Sequence, residues 1–122
     1  LERDLVLTVC SGTKAIPVFN QTLGQVAALL AQASSCVCND SVMMHLSAAL
    51  KVPTLAIFGP TSPYLLSPPF AWVKVVYEPV ECSPCYRQVL GGFPPCNEYR
   101  CQLGISVGQV HSKLQAMLEK IA

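Results

Sequence analysis

Apolar residues along this chain fall into short blocks, and the spacing within each block predicts an element. Asp4 to Val9 (DLVLTV) is rich in β-branched residues and predicts a strand. Ala15 to Phe19 predicts a second short strand, interrupted by Pro17. Thr22-Leu23-Gly24-Gln25 has the form of a capping box, in which the threonine hydroxyl takes a free N–H and the glutamine reaches back. Leu23, Val26, Ala27 and Leu30 follow at helical spacing, so a helix is expected from Thr22 to Ala33, apolar on nearly every side. Ser35 to Cys38 predicts a strand, Ser41 to Leu50 a helix and Leu55 to Phe58 a strand. Strand, helix and strand so close together make a βαβ unit and a parallel sheet. Gly59 to Phe70 carries Pro60, Pro63, Pro68 and Pro69 and reads as a loop without regular structure. Trp72 to Tyr77 predicts another strand, residues 81–104 an irregular Cys/Pro/Gly segment, and residues 106–121 a closing helix. The apolar stripe of that helix is Val107, Val110, Leu114, Met117, Leu118 and Ile121. The fold class is α/β, a Rossmann-like parallel sheet with flanking helices, and residues 1–122 are read as one domain.

Composition sharpens this picture. Charged residues make up 12% of the chain, roughly half the usual share, while apolar residues make up 52%. No acidic or basic residue occurs from Ala15 to Asn39. So apolar a surface asks to be covered, and a homo-oligomer is the expected cover. A net charge of +1 supplies no basic field for nucleic acid. No apolar run is long enough to span a membrane, and no signal peptide opens the chain. Seven cysteines, an odd number, then argue for a reducing, cytoplasmic setting. Cys10, Cys36 and Cys38 lie in or beside apolar blocks and read as small core hydrophobes. Cys82, Cys85, Cys96 and Cys101 have spacings that a tetrahedral zinc site can use. Reduced thiols with no metal are the first expectation there, with zinc and a disulfide as alternatives.

The candidate chemistry sits where the first strand of the βαβ unit ends. In open parallel sheets ligands bind beyond the carboxyl ends of the strands. Asp40 and Ser41 stand at such an end, ahead of a helix whose first N–H groups have no internal partner. Those donors and the helix dipole favour a phosphate, Ser41 adds a hydroxyl, and His45 lies one turn along the same face. The competing reading makes Asp40 or Ser41 a plain N-cap and His45 a packed helix residue. Gly59-Pro60-Thr61 ends the next strand and would reach the same crevice, or is simply a tight turn. No carboxylate pair for glycoside hydrolysis, Ser/His/Asp constellation or P-loop lysine is evident.

The run from Asp40 to Pro63 resembles the donor-sugar domain of the lipopolysaccharide heptosyltransferases, the family 9 glycosyltransferases. Their motif reads roughly D-[ST]-G-x-x-H-x-x-A-A-x-x-x-P-x-x-x-x-[FY]-G-P-T-x-P. It is matched here by Asp40, Ser41, His45, Ala48, Ala49, Pro53, Phe58, Gly59, Pro60, Thr61 and Pro63. Val42 departs from it, standing where the family has Gly. If that Gly takes ordinary helical geometry, Val costs only access; if it needs positive φ, the turn must differ.

The resemblance implies the C-terminal half of a GT-B glycosyltransferase, incomplete, binding an ADP-heptose-like nucleotide sugar. Asp40, Ser41, Val42, His45, Gly59, Pro60 and Thr61 would then be donor-binding, with Gln21 and Thr22 near the adenine. It further implies a metal-independent transfer with no cofactor and a cytoplasmic, bacterial location, peripheral attachment to the inner membrane being the variant. The acceptor, a lipopolysaccharide core sugar, and the general base would belong to an N-terminal domain, so that the chain alone is expected to be inactive, with no catalytic residue of its own. The alternative is a stand-alone, non-catalytic nucleotide-binding or interaction module derived from that family.

Overall fold

The structure is a computed structural model and describes residues 2–86 and 96–120. Three strands form one sheet in the order β1-β2-β3, all parallel: β1 (Cys36–Asn39), β2 (Thr54–Phe58) and β3 (Val73–Tyr77). Helix α1 spans Glu2–Cys10, α2 Leu23–Leu30, α3 Val42–Ala49 and α6 Val107–Leu118. Single turns α4 (Pro63–Leu66) and α5 (Arg100–Leu103) lie in the connections. This is the expected α/β arrangement of a parallel sheet flanked by helices.

The sheet has a core on each face, because alternate residues of each strand point to opposite sides. On one face Met44 of α3 packs against Ala56 and Phe58 of β2, with Cys38, Leu66, Val75 and Tyr77 around them. On the other, Met117, Val110 and Leu114 of α6 cover Leu55, Ile57 and Val76. Phe58, Met44 and Leu55 are fully buried, each worth about 1.5–3 kcal/mol relative to exposure. Two buried hydroxyls join α3 to β2. Ser47 Oγ donates to the Met43 carbonyl at 2.7 Å and lies 2.8 Å from Thr54 Oγ1.

Three expectations are corrected. Asp4 to Val9 is not a strand but the body of α1. A β-branched run gains from strand geometry only beside another strand, and none of the described strands lies next to this one. Its backbone is satisfied within the helix instead, Thr8 Oγ1 donates to the Asp4 carbonyl at 2.8 Å, and Glu2 and Asp4 complement the dipole in the first turn. Ala15 to Phe19 forms no strand either. The proline-rich loop after β2 does contain a helical turn, with Pro63 at its start, where a missing N–H costs nothing.

Other differences are smaller. Helix α2 has the predicted capping box at Thr22 and Gln25, yet buries no residue and leaves Leu23 and Leu29 half exposed. It packs chiefly against α3. In α6 Val107 lies outside the apolar stripe, exposed at the first turn. Ile121, and residues 87–95 of the cysteine segment, lie outside the described residues.

Candidate functional site

The ends of β1 and β2 are held in register. Asn39 pairs with Ile57, and the Asp40 N–H donates to the Ile57 carbonyl at 3.1 Å, carrying the ladder one residue past β1. Asp40 is thereby fixed at the carboxyl edge of the sheet, where the chain turns into α3. Ser41 is the N-cap of α3, in extended geometry, and its Oγ accepts from the Met43 N–H at 3.3 Å. The hydroxyl proton remains available to a ligand, because a serine oxygen can accept and donate at once. Val42 is the first helical residue and is exposed, and it is not among the positive-φ positions. The turn therefore holds its side chain in ordinary helical geometry, without backbone strain. His45 is exposed one turn further along α3.

After β2 the chain runs through Gly59, Pro60 and Thr61, and its carbonyls are tied down from behind. Ser83 Oγ donates to the Gly59 carbonyl at 2.7 Å, and the N–H groups of Cys85 and Tyr86 donate to that of Pro60 at 2.9 and 3.0 Å. A methyl group on Gly59 would come within 2.8 Å of Gln102 Cγ, so the Gln102 side chain would have to shift to admit one. The first half of the cysteine segment thus braces the loop that ends β2.

A cavity of about 910 Å3 opens beyond these strand ends. Asp40, Gly59, Pro60 and Thr61 line it together with Asn39. Its far wall comes from α5 and α6 and includes Gln102, Ser106 and His111, over an apolar floor of Val37, Ile57, Val110 and Leu114. Of the residues singled out in the sequence, Ser41, Val42, His45, Gln21 and Thr22 do not line it. The first three form the exposed opening turn of α3. Gln21 and Thr22 lie at the start of α2, Gln21 Nε2 donating to the Phe19 carbonyl at 2.9 Å and Thr22 closing its capping box. The sequence reading missed Gln102, Ser106 and His111. Ser106-x-x-Gln109 is a second capping box, formed with a 2.6 Å bond from the Ser106 N–H to Gln109 Oε1, and it could have pointed to Ser106. Nothing local singles out Gln102 or His111.

Behind Asp40, burial pushes the Cys38 thiol up to about 12. The neighbouring Cys36 and, more weakly, the Asp40 charge act in the same direction. Cys38 is thereby kept out of the site's ionic chemistry, and Cys36 is buried as a core hydrophobe. The four cysteines considered for zinc line one further cavity, of about 670 Å3, with Arg100 and Glu98. Burial and then the charge of Cys85 raise the Cys101 thiol. Among the described residues no three His, Cys, Asp or Glu side chains are arranged to hold a metal ion.

Comparison with known proteins bears on this geometry. Residues 14–90, which hold β1 through β3 and the whole Asp40 to Thr61 arrangement, match the family model of glycosyltransferase family 9 (heptosyltransferase). Lipopolysaccharide heptosyltransferase 1 of Pseudomonas aeruginosa is 32% identical over 129 residues, covering 96% of this chain and 36% of that protein. Lipooligosaccharide heptosyltransferase 2 of Campylobacter jejuni is 33% identical over 87 residues, covering 68% of this chain and 25% of that protein. The enzyme of the same name in Haemophilus influenzae is 41% identical over 46 residues. The chain spans about a third, or less, of the length of these relatives. No solved structure matches it significantly. With the family match covering its whole sheet, this chain belongs to glycosyltransferase family 9, the heptosyltransferases.

Proposed function

We propose that this chain is the donor-binding part of a heptosyltransferase that acts in lipopolysaccharide core synthesis in the bacterial cytoplasm. Its ligand is a nucleotide sugar of the ADP-heptose class. The observation that carries this reading is the convergence of Asp40 and Gly59–Thr61 on one cavity at the carboxyl ends of two adjacent parallel strands. In this reading the diphosphate lies against the opening turn of α3, where the Val42 N–H, the Ser41 hydroxyl and the helix dipole meet its charge. His45, one turn on, adds a further donor. Asp40 holds a sugar hydroxyl, since a carboxylate repels phosphate. Gln21 and Thr22 lie toward the adenine, at the start of the helix that packs on α3.

As the bond to the sugar breaks, charge builds on the leaving diphosphate, and these donors are already aimed at it. The acceptor sugar and the general base come from a part of the relatives that lies outside this match, and the chain alone binds donor without transferring the sugar. It works as a homo-oligomer, with the half-exposed α2 covered by a neighbour. Titration calorimetry tests the binding claim. ADP is expected to bind with Kd of about 0.1–1 mM or weaker, more tightly than UDP, and Val42→Gly is expected to tighten it by opening the turn. Equal affinity for the two nucleotides, or a Gly variant no tighter than the parent chain, contradicts the reading.

A further inference from the structure

We infer that Cys85 and Cys101 are a thiol–disulfide site, oxidised by small disulfides, whose bond reshapes the Gly59–Thr61 loop. The four thiols of residues 82–101 line one cavity of about 670 Å3, and all four are free. Among the described residues no three His, Cys, Asp or Glu side chains are arranged for a metal ion, so a bond between two sulfurs is the chemistry this arrangement offers. Cys101 is buried and Cys85 partly so, whereas Cys82 and Cys96 are exposed. Of these three neighbours Cys85 acts most strongly on the Cys101 thiol, ahead of Cys82 and Cys96, which makes it the partner.

Both thiols belong to segments that grip the loop ending β2. On one side the Cys85 N–H donates to the Pro60 carbonyl at 2.9 Å, and Ser83 Oγ donates to the Gly59 carbonyl at 2.7 Å. Tyr77, at the end of β3, lies 3.0 Å from Ser83 Oγ; the serine's one proton goes to Gly59, so the tyrosine donates to the serine. On the other side Cys101 lies in α5, and the next residue, Gln102, packs over Gly59. Pro60 and Gln102 are walls of both the thiol cavity and the cavity at the strand ends. Bonded sulfurs stand closer than sulfurs merely in contact, so the bond draws the Cys85 segment and α5 together across the loop. With Gln102 already set against Gly59, the loop has to shift, and the wall of the strand-end cavity shifts with it. Chemically, the Cys85 thiolate attacks one sulfur of a small disulfide, whose S–S bond breaks and releases one thiol. The Cys101 thiolate then attacks the Cys85 sulfur of the mixed disulfide and expels the second. Two protein thiols are oxidised, one small disulfide is reduced to two thiols, and the two protons pass to the thiols released. The effect on the donor rests on the proposed reading of the strand-end cavity; the bond and the loop shift do not.

Peptide mapping by mass spectrometry, after the purified chain is equilibrated with oxidised or reduced glutathione, tests the bond. Oxidised glutathione is expected to join Cys85 to Cys101, and reduced glutathione to reopen them. The Cys82→Ser/Cys96→Ser chain is expected to keep the link, and Cys85→Ser or Cys101→Ser to lose it. In the Cys82→Ser/Cys96→Ser chain, oxidation is expected to move the amide signals of residues 59–61, and a further Cys85→Ser change to abolish the movement. The oxidised form is expected to bind ADP at least about fivefold more weakly than the reduced form, and ADP to oppose closure against glutathione by the same factor, since such coupling is reciprocal. Thermal melts establish that each chain is folded. No Cys85–Cys101 link in excess oxidised glutathione, a link lost in the Cys82→Ser/Cys96→Ser chain, unmoved amides at 59–61, or equal ADP affinity in the two states each overturns the inference. A linked chain with moved amides that binds no ADP in either state overturns the donor reading alone.

Discussion

At the scale of single residues, what surrounds the candidate site is packing more than charge. Cys38 shows this directly. Its folded thiol titrates near 12 against an ordinary value of 9.0 because burial penalises the thiolate. Between those values the unfolded chain has released a proton that the folded chain keeps, so stability is whole below about pH 9 and falls as pH rises toward 12. Cys38→Ser should flatten this alkaline fall, read as the thermal midpoint against pH; parallel curves for parent and variant would rule the thiol out as its source. Gly59 makes the second case. Gly59→Ala drives a methyl group into Gln102 and is expected to cost about 1–3 kcal/mol, most of it relieved in the double variant with Gln102→Ala. Chemical denaturation of the four chains measures the coupling, and additive losses would show that the two side chains do not meet.

At the scale of elements, the βαβ unit was the most legible part of the sequence. Ser35 to Phe58 alternates apolar strands with a small-residue helix, and the observed β1, α3 and β2 fall within a residue or two of the expected bounds. Thr22 and Gln25 announced their helix start through one local motif. Asp4 to Val9 was misread because strand preference depends on a neighbour that local sequence does not reveal. The candidate site was half legible for the same reason. Asp40 and Gly59–Thr61 are set by the ends of strands, whereas Gln102 and His111 reach the cavity only through the path of α5 and α6. Long-range contacts also close α3, where Trp72 Nε1 donates to the Ala48 carbonyl at 3.0 Å, in the helix's last turn. Trp72→Phe keeps the apolar ring and loses this bond, so a loss of about 1 kcal/mol is expected in denaturant unfolding. An unchanged midpoint would mean that water replaces it.

At the scale of the whole molecule, the uneven distribution of charge sets the exposed surfaces apart. Nothing acidic or basic occurs from Ala15 to Asn39, α2 keeps Leu23 and Leu29 half exposed, and Val37 of β1 is 44% exposed on the floor of the cavity beside α6. Sedimentation velocity at micromolar concentration is expected to show a dimer or larger species, and Leu23→Lys/Leu29→Lys to yield monomer. A parent chain that stays monomeric would show that these faces tolerate water. The central claim, however, is that one nucleotide diphosphate is held where β1 and β2 end. Amide chemical-shift mapping during ADP addition tests this most directly. The account predicts changes concentrated at residues 39–45 and 59–61. Changes scattered over the chain, or none at about 10 mM ADP, a concentration well above the expected Kd, would contradict it.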